Sequence, residues 1–207
     1  MPRNDDRPYH HGNLRRAVLD AALAVIAEGG PDGLSLRQLA TRIGVSHGAP
    51  AHHFGDRAGL LTAVAAEGYD LLGDALEVAR QEGGFLEVGL AYVQFAIDHP
   101  AHFQVMYQPT LYRSDDPSVS AARTRAASAL YASATTIGAA APATDVGLAG
   151  WCLMHGLATL WLAGNLRAVS DDPIAIARSI AEPTFSSGPS RSRGIERRRA
   201  KATGREQ

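Results

Sequence analysis

Hydrophobic residues recur every three to four positions along most of the chain, which is the spacing of one face of an α-helix. In the first such stretch Leu14, Val18, Ala22 and Ile26 fall on one face, and Asn13 is placed to cap a helix that runs to residue 28. No stretch alternates with the period of two that a half-buried strand requires. The sequence therefore predicts an all-α fold.

Two short helices separated by a glycine are predicted between residues 34 and 56. The Ser35 hydroxyl can accept a hydrogen bond from the amide of Gln38 while Gln38 reaches back, which is a capping-box arrangement. Gly44 follows the last apolar position, where a left-handed backbone conformation ends a helix at least cost. One face of this first helix is apolar, made of Leu36, Leu39, Ala40 and Ile43.

The second short helix is predicted to start at a Ser46 cap and to end near Phe54. Pro50 would then occupy its fourth position, where a missing amide proton removes at most one hydrogen bond. Small and polar residues dominate this helix, which suits close approach to a DNA groove and hydrogen bonding to base edges. An ordinary pair of surface helices can share the same glycine turn, so these residues alone leave both interpretations open. The small and polar residues are His47, Gly48, Ala49, His52 and His53.

With its flanks, YHHGNLRRAVLDAALAVIAEGG before and FGDRAGLL after, this unit resembles the DNA-binding domain of the TetR family of transcriptional repressors over residues 9–64. Farther along, Trp151, His155 and Gly156 in WCLMHG are similar to the WHG-type C-terminal effector domain of the same family. The resemblance implies a homodimer that binds a palindromic double-stranded DNA operator and is released from it by a small-molecule effector.

The same resemblance implies an order of domains. A three-helix helix-turn-helix domain is expected over residues 9–56, and a helical bundle for effector binding and dimerisation over residues 57–183. Residues 184–207 are rich in Ser, Gly, Pro and Arg, so a disordered basic tail is expected there.

Individual DNA contacts are also implied by the resemblance. Base-facing or groove-facing positions correspond to Arg37, His47, Gly48, Ala49, His52 and His53; Ser35 and Arg57 correspond to phosphate-facing positions, and Ser46 to the start of the recognition helix. Where the family usually has tyrosine in that helix, this chain has Ala51 after Pro50. The change removes a hydroxyl donor to phosphate and an aromatic face for a thymine methyl group.

The remaining two thirds of the chain predict five more helices and one uncharged segment. The helices are expected at residues 57–80, with Asp56 as the cap, 85–98, 101–108, 118–139 as an exposed alanine-rich helix, and 173–181. Residues 146–164 carry no charge, yet four glycines and His155 interrupt them and no basic residues flank them, so a transmembrane helix is rejected. We expect this helix to be covered by its own core and by a second subunit.

Aromatic and methionine side chains in these helices are candidates for an effector pocket. The set is Phe95, Phe103, Met106, Tyr107, Trp151 and His155. Such residues also make ordinary core, and only the family resemblance favours a pocket. His155 would be the polar group that orients a ligand, or it would simply hydrogen-bond between two helices.

Charge is segregated along the chain despite a net charge of -1 over 207 residues. Residues 186–207 carry seven basic groups against Glu196 and Glu206, residues 1–60 are nearly neutral, and the segment between them is acidic. An acidic body is repelled by phosphates, which favours DNA approach through the N-terminal head. The weak basicity of that head and Ala51 also motivate a rival hypothesis, a helical small-molecule-binding protein that no longer binds DNA.

Several function classes lack support in the sequence. The single cysteine, Cys152, excludes an internal disulfide and is expected to be a core thiol, and the polar N-terminus has no apolar segment of a secretion signal, so a cytoplasmic protein is expected. No HExxH, phosphate-binding glycine loop or nucleophile with a placed base is present. We therefore expect no metal, no cofactor and no enzymatic activity.

Overall fold

The computed structural model describes residues 11–137 and 141–185, with only the backbone described for residues 11–13. Throughout these ranges the regular elements are helices, which confirms the all-α prediction. Their bounds are α1 His11–Gly29, α2 Leu36–Ile43, α3 Ala49–Phe54, α4 Arg57–Glu82, α5 Phe85–Asp98, α6 Pro100–Met106, α7 Pro117–Ala134, α8 Ala143–Leu162 and α9 Pro173–Phe185.

The first three helices form a small head with α1 behind α2 and α3. Val18, Ala22 and Ile26 of α1 are fully buried, as their spacing predicted. The predicted cap is wrong, because α1 begins at His11 and Asn13 lies inside it.

The α2 boundaries are confirmed, with Ser35 at the N-cap position, but neither of the two predicted serine side-chain caps forms. Ser35 precedes α2 in an extended conformation, and its carbonyl rather than its hydroxyl accepts from the helix. Ser46 likewise uses its carbonyl, which accepts from the Ala49 amide and closes a turn before α3. Pro50 therefore takes the second position of α3 instead of the fourth. Gly44 ends α2 with a φ of 71°, the predicted left-handed cap.

The 26-residue helix α4 joins the head to the body. The predicted Asp56 cap is confirmed, since its carboxylate accepts from the Gly59 amide at 2.8 Å. Helix α4 packs most extensively against α7, which corrects the prediction that α7 is an exposed helix. Alanines explain the difference: a face of small residues such as Ala122 and Ala126, both buried, lets two helices approach closely without the large apolar residues that mark a core helix.

The body is completed by α5, α6, α8 and α9. Helix α5 has the predicted bounds and packs against α4, α8 and α9. Helix α6 lies so close to α4 that a Cβ atom on Gly68 would be 2.6 Å from the sulfur of Met106. Helix α9 continues to Phe185, past the predicted end, so the first two residues of the tail predicted at 184–207 are helical instead; residues 186–207 lie outside the described residues. No described helix is long and apolar enough to cross a membrane.

Candidate DNA interface and ligand cavity

Helix α3 is held to the head by one side and exposed on the other. Pro50 and Phe54 are buried, whereas Ala51 and His52 are exposed. The predicted DNA-binding residues lie on α2, α3 or the residues next to them; Arg37, Ser46, His47, Gly48 and His52 are exposed, and Ser35, Ala49, His53 and Arg57 are half-buried. This side of the head therefore offers polar and small side chains next to one another.

Arg57 has a structural partner within the head. Its Nη2 donates to the Pro31 carbonyl at 2.7 Å, and its Nε is buried without a hydrogen-bond partner among the described residues. This guanidinium therefore fastens the loop after α1 to the start of α4. The phosphate contact proposed for Arg57 stays a prediction.

The loop between α6 and α7 connects the body to the start of α4. Arg113 in this loop donates through Nη2 to both carboxylate oxygens of Asp56, at 3.0 and 2.8 Å. Its backbone amide donates to the Thr62 hydroxyl at 3.0 Å. The loop is therefore hydrogen-bonded at two points to the first turns of α4, the helix that directly follows α3.

A cavity of about 680 Å³ lies in the body between α4, α5, α7 and α8. Its buried lining is apolar and aromatic, and its rim consists of exposed residues. The buried lining includes Tyr69, Leu72, Leu76, Tyr92, Met106, Tyr112, Ala126 and Leu130; the rim includes Pro109, Arg123, Thr124 and Ser128. A volume of this size is in the range that binds small organic ligands.

Hydrogen bonds between aromatic side chains form one wall of the cavity. The Tyr92 hydroxyl lies 2.7 Å from that of Tyr107 and 2.9 Å from Nδ1 of His155, and it accepts from Nε1 of Trp151 at 3.2 Å. Burial raises the pKa of Tyr92 and lowers that of His155, so both side chains are neutral at pH 7. The wall is therefore an uncharged, preorganised polar network.

Three of the six predicted pocket residues, Met106, Tyr107 and Trp151, line this cavity. Phe103 and His155 support the wall from behind, with ring centroids 5.1 and 4.5 Å from that of Tyr107. Phe95 packs on His99 and is not part of the lining.

Several lining residues were not predicted from the sequence, chiefly Tyr69, Tyr92, Tyr112, Tyr131 and Arg123. The four tyrosines come from α4, α5, α7 and the loop before α7. A tyrosine among the apolar positions of a helix could have been noted in the sequence as a candidate lining residue. That the four tyrosines line one cavity depends on how the helices pack.

Two sequence profiles match the head and the body. Residues 18–64 match the profile described as bacterial regulatory proteins, tetR family, and residues 85–182 match the tetracyclin repressor-like C-terminal domain. The chain belongs to the TetR family. The prediction of a DNA-binding regulator without enzymatic activity is thereby confirmed at the level of the family.

Two named relatives are helix-turn-helix transcriptional regulators. The transcriptional repressor AcnR of Corynebacterium glutamicum is 38% identical over 78 residues, and the transcriptional regulator BetI of Serratia proteamaculans is 37% identical over 67. These matches span only 38% and 34% of the two relatives, and 37% and 32% of this chain.

Solved structures extend the similarity to the body. A Rhodococcus protein of unknown function is 36% identical, with a TM-score of 0.72, over 87% of this chain and 97% of that chain. The TetR-family regulator PfmR of Thermus thermophilus shares the fold at 22% identity, with a TM-score of 0.63, over 84% of this chain and 99% of that one.

Proposed function

We propose that the protein is a homodimeric TetR-family repressor that binds a palindromic operator through α2 and α3 and leaves it when a small molecule fills the cavity. The observation that carries the proposal is the position of α4. This single helix begins next to α3 and also supplies Tyr69, Leu72 and Leu76 to the cavity lining. A ligand that moves α4 therefore moves the recognition helix.

DNA binding in this proposal uses the exposed side of α3. Small residues let the helix approach the floor of a major groove, and His47 and His52 supply groups that hydrogen-bond to base edges. Two heads related by a twofold axis would read half-sites about 34–36 Å apart. The AcnR relatives are named as repressors, which favours repression over activation for this chain.

Dimerisation in this proposal uses the uncovered side of α8, together with α9. Leu148, Cys152, Gly156 and Leu160 recur every four residues along α8. Leu148 and Leu160 are 47% and 46% exposed, Cys152 is exposed rather than in the core, and a Cβ atom on Gly156 would meet no atom within 4 Å. An apolar helix face left open in one subunit is the surface that a second copy would cover.

A footprint on the DNA upstream of the protein's own gene tests the proposal. We expect protection of two half-sites, and we expect His52→Ala to weaken that protection by about 1–3 kcal/mol of lost base contact, roughly fivefold to more than a hundredfold in affinity. Gln104→Ala is a matched control, because Gln104 is exposed on α6 in the body. Wild-type protein that protects no DNA would favour the rival hypothesis of a small-molecule-binding protein with an inactive head.

Two finer predictions belong to the same proposal. The WHG-type identity of the C-terminal domain rests on the WCLMHG motif, whose Trp151 and His155 both hydrogen-bond to Tyr92. A cytoplasmic location rests on the sequence and on the operator, since a protein that binds DNA in a bacterium must reach the chromosome.

A further inference from the structure

Arg123 differs in charge from every other described residue that lines the cavity. It projects from the exposed side of α7 at the rim, and the remaining lining residues are aromatic, aliphatic or neutral polar. None of the ion pairs or side-chain hydrogen bonds between described residues involves Arg123. The rim of the cavity therefore carries a guanidinium whose donors are available to a ligand.

Two acidic residues of α4, Asp70 and Asp74, are paired with a different arginine of α7. Arg125 donates to the carboxylates of both Asp70 and Asp74. Neither aspartate lines the cavity, and no described lining residue is acidic. Arg123 is therefore the one charged residue among the described residues that line the cavity, although the body as a whole is acidic.

Two of the lining tyrosines have no hydroxyl proton to offer an anion. Tyr69 and Tyr112 both donate their hydroxyl protons to the Met106 carbonyl, at 3.0 and 2.9 Å. Their rings are left to cover an apolar or aromatic body. Such a lining also suits an organic cation through cation–π contact, but a guanidinium at the rim repels a cation.

We propose that the cavity binds an aromatic organic monoanion, with its rings against the tyrosines and Trp151 and its acidic group paired with Arg123. The inference rests on the proposed function only in taking this cavity as the effector site. A charge-assisted hydrogen bond to a carboxylate or sulfonate orients such a molecule with the acid outward and the rings inward.

Two fluorescent probes with the same ring skeleton test the charge. The anion 8-anilinonaphthalene-1-sulfonate and the neutral N-phenyl-1-naphthylamine differ by the sulfonate group, and both gain fluorescence in apolar sites. Each would be titrated into the full-length protein as wild type, Arg123→Gln, Arg123→Lys and Arg167→Gln. Arg167 is exposed outside the cavity lining and serves as the matched control.

We expect Arg123→Gln to weaken binding of the sulfonate by about fivefold to tenfold, which corresponds to one partly exposed charged contact. Binding of the neutral probe should change by less than twofold and thereby report that the cavity is intact. Arg123→Lys should keep most of the sulfonate affinity, and Arg167→Gln should keep all of it. Equal effects of Arg123→Gln on both probes, or no effect on the sulfonate, would overturn the inference.

Two further arms locate the probe and test the sign of the charge. Ala127→Phe places a ring in the cavity lining and should weaken binding of both probes. Unchanged binding of the sulfonate would show that this probe binds outside the cavity and would also overturn the inference.

Phenylacetate should displace the neutral probe better than benzyltrimethylammonium does, and the reverse order would indicate a cation site instead. No arm contains DNA, so failure here is distinguishable from failure of the footprint.

Discussion

At the scale of single residues, Ala51 is the position where the recognition helix departs most from the family pattern. It is exposed on α3, next to the buried Pro50, so a larger side chain can be added without disturbing the core. We predict that Ala51→Tyr strengthens binding to operator and scrambled duplexes alike, because a phenol donates to phosphate oxygens, which carry no sequence information. The gain should be about tenfold to a hundredfold, measured by titration of both duplexes.

Ala51→Phe is the control for that substitution, since it adds the ring without the hydroxyl. It should give a smaller gain than Ala51→Tyr, and the salt dependence of both variants should stay close to wild type because a neutral donor releases few counterions. Unchanged affinity of Ala51→Tyr for both duplexes would mean that residue 51 faces away from DNA.

His102 is a buried titratable residue where α6 meets α4. Its Nε2 lies 3.2 Å from a carboxylate oxygen of Glu67, which Arg16 also binds, and His99 is its other titratable neighbour. Burial lowers the pKa of His102, even though Glu67 acts in the opposite direction. The unfolded chain therefore takes up a proton near pH 6.5 that the folded chain takes up only at lower pH, and stability is lost as pH falls from about 6.5 towards the lowered folded pKa.

We predict that the thermal unfolding midpoint falls between pH 7.5 and pH 5.5, by roughly 2–4 °C for each kcal/mol lost in a chain of this size. His102→Gln should reduce this fall without removing it, because burial also lowers the pKa of His155. His52→Gln, at an exposed position, should keep the wild-type dependence. A His102→Gln protein with the full pH dependence would assign the effect to other groups.

At the scale of elements, one side of α8 packs inside the subunit and the other side is open to solvent, although the sequence of both sides is apolar. Leu157 is only 5% exposed within the subunit, so a charge there disrupts the subunit itself, whereas Leu160 is 46% exposed. We predict that Leu160→Glu gives folded monomers in sedimentation at micromolar concentration, because a carboxylate buried in a dimer interface costs several kcal/mol.

Val78→Glu is the matched control, since Val78 is 54% exposed on α4 and outside the α8 surface. This variant should sediment as the wild type does. A wild-type protein that is monomeric at micromolar concentration, or a Leu160→Glu protein that remains dimeric, would exclude this face of α8 as the interface.

At the scale of the whole molecule, the loop before α7 contacts both the cavity and the start of α4, which follows the head. Tyr112 lines the cavity, and its neighbour Arg113 holds Asp56 and Thr62 at the start of α4. Ligand binding in the cavity and DNA binding by the head are coupled if an element that contacts both has different contacts in the DNA-bound and ligand-bound states. Each ligand then changes the affinity for the other by the same factor. This loop, like α4 itself, touches both the cavity and the α3–α4 junction.

We predict that Arg113→Ala leaves operator affinity within about threefold of wild type but reduces the effect of a cavity ligand on it, a coupling that is typically about 5–150-fold. The measurement is the operator affinity with and without saturating 8-anilinonaphthalene-1-sulfonate. Asp56 keeps its bond to the Gly59 amide, so α4 stays capped. Arg167→Ala should keep the wild-type coupling, and full coupling in Arg113→Ala would exclude the loop as the connection.

The sequence by itself determined the features that depend on local spacing. Apolar periodicity predicted α1, α4 and α5 because a helix places every third or fourth residue on one face. Gly44 marked the end of a helix and Asp56 the start of another, because the backbone conformation and the capping hydrogen bond that these residues favour involve only neighbouring residues. The family pattern of the head is local as well, since it lies within the continuous stretch of residues 9–64.

The tertiary structure decided what depends on residues far apart in the chain. The buried role of α7 follows from the close approach that alanines permit, which periodicity of large apolar residues does not reveal. The cavity joins Tyr69, Tyr92, Tyr112 and Tyr131 from separate elements, and only packing brings Arg123 to its rim. Contacts of this kind are set by the relative positions of helices, and those positions are a property of the whole fold.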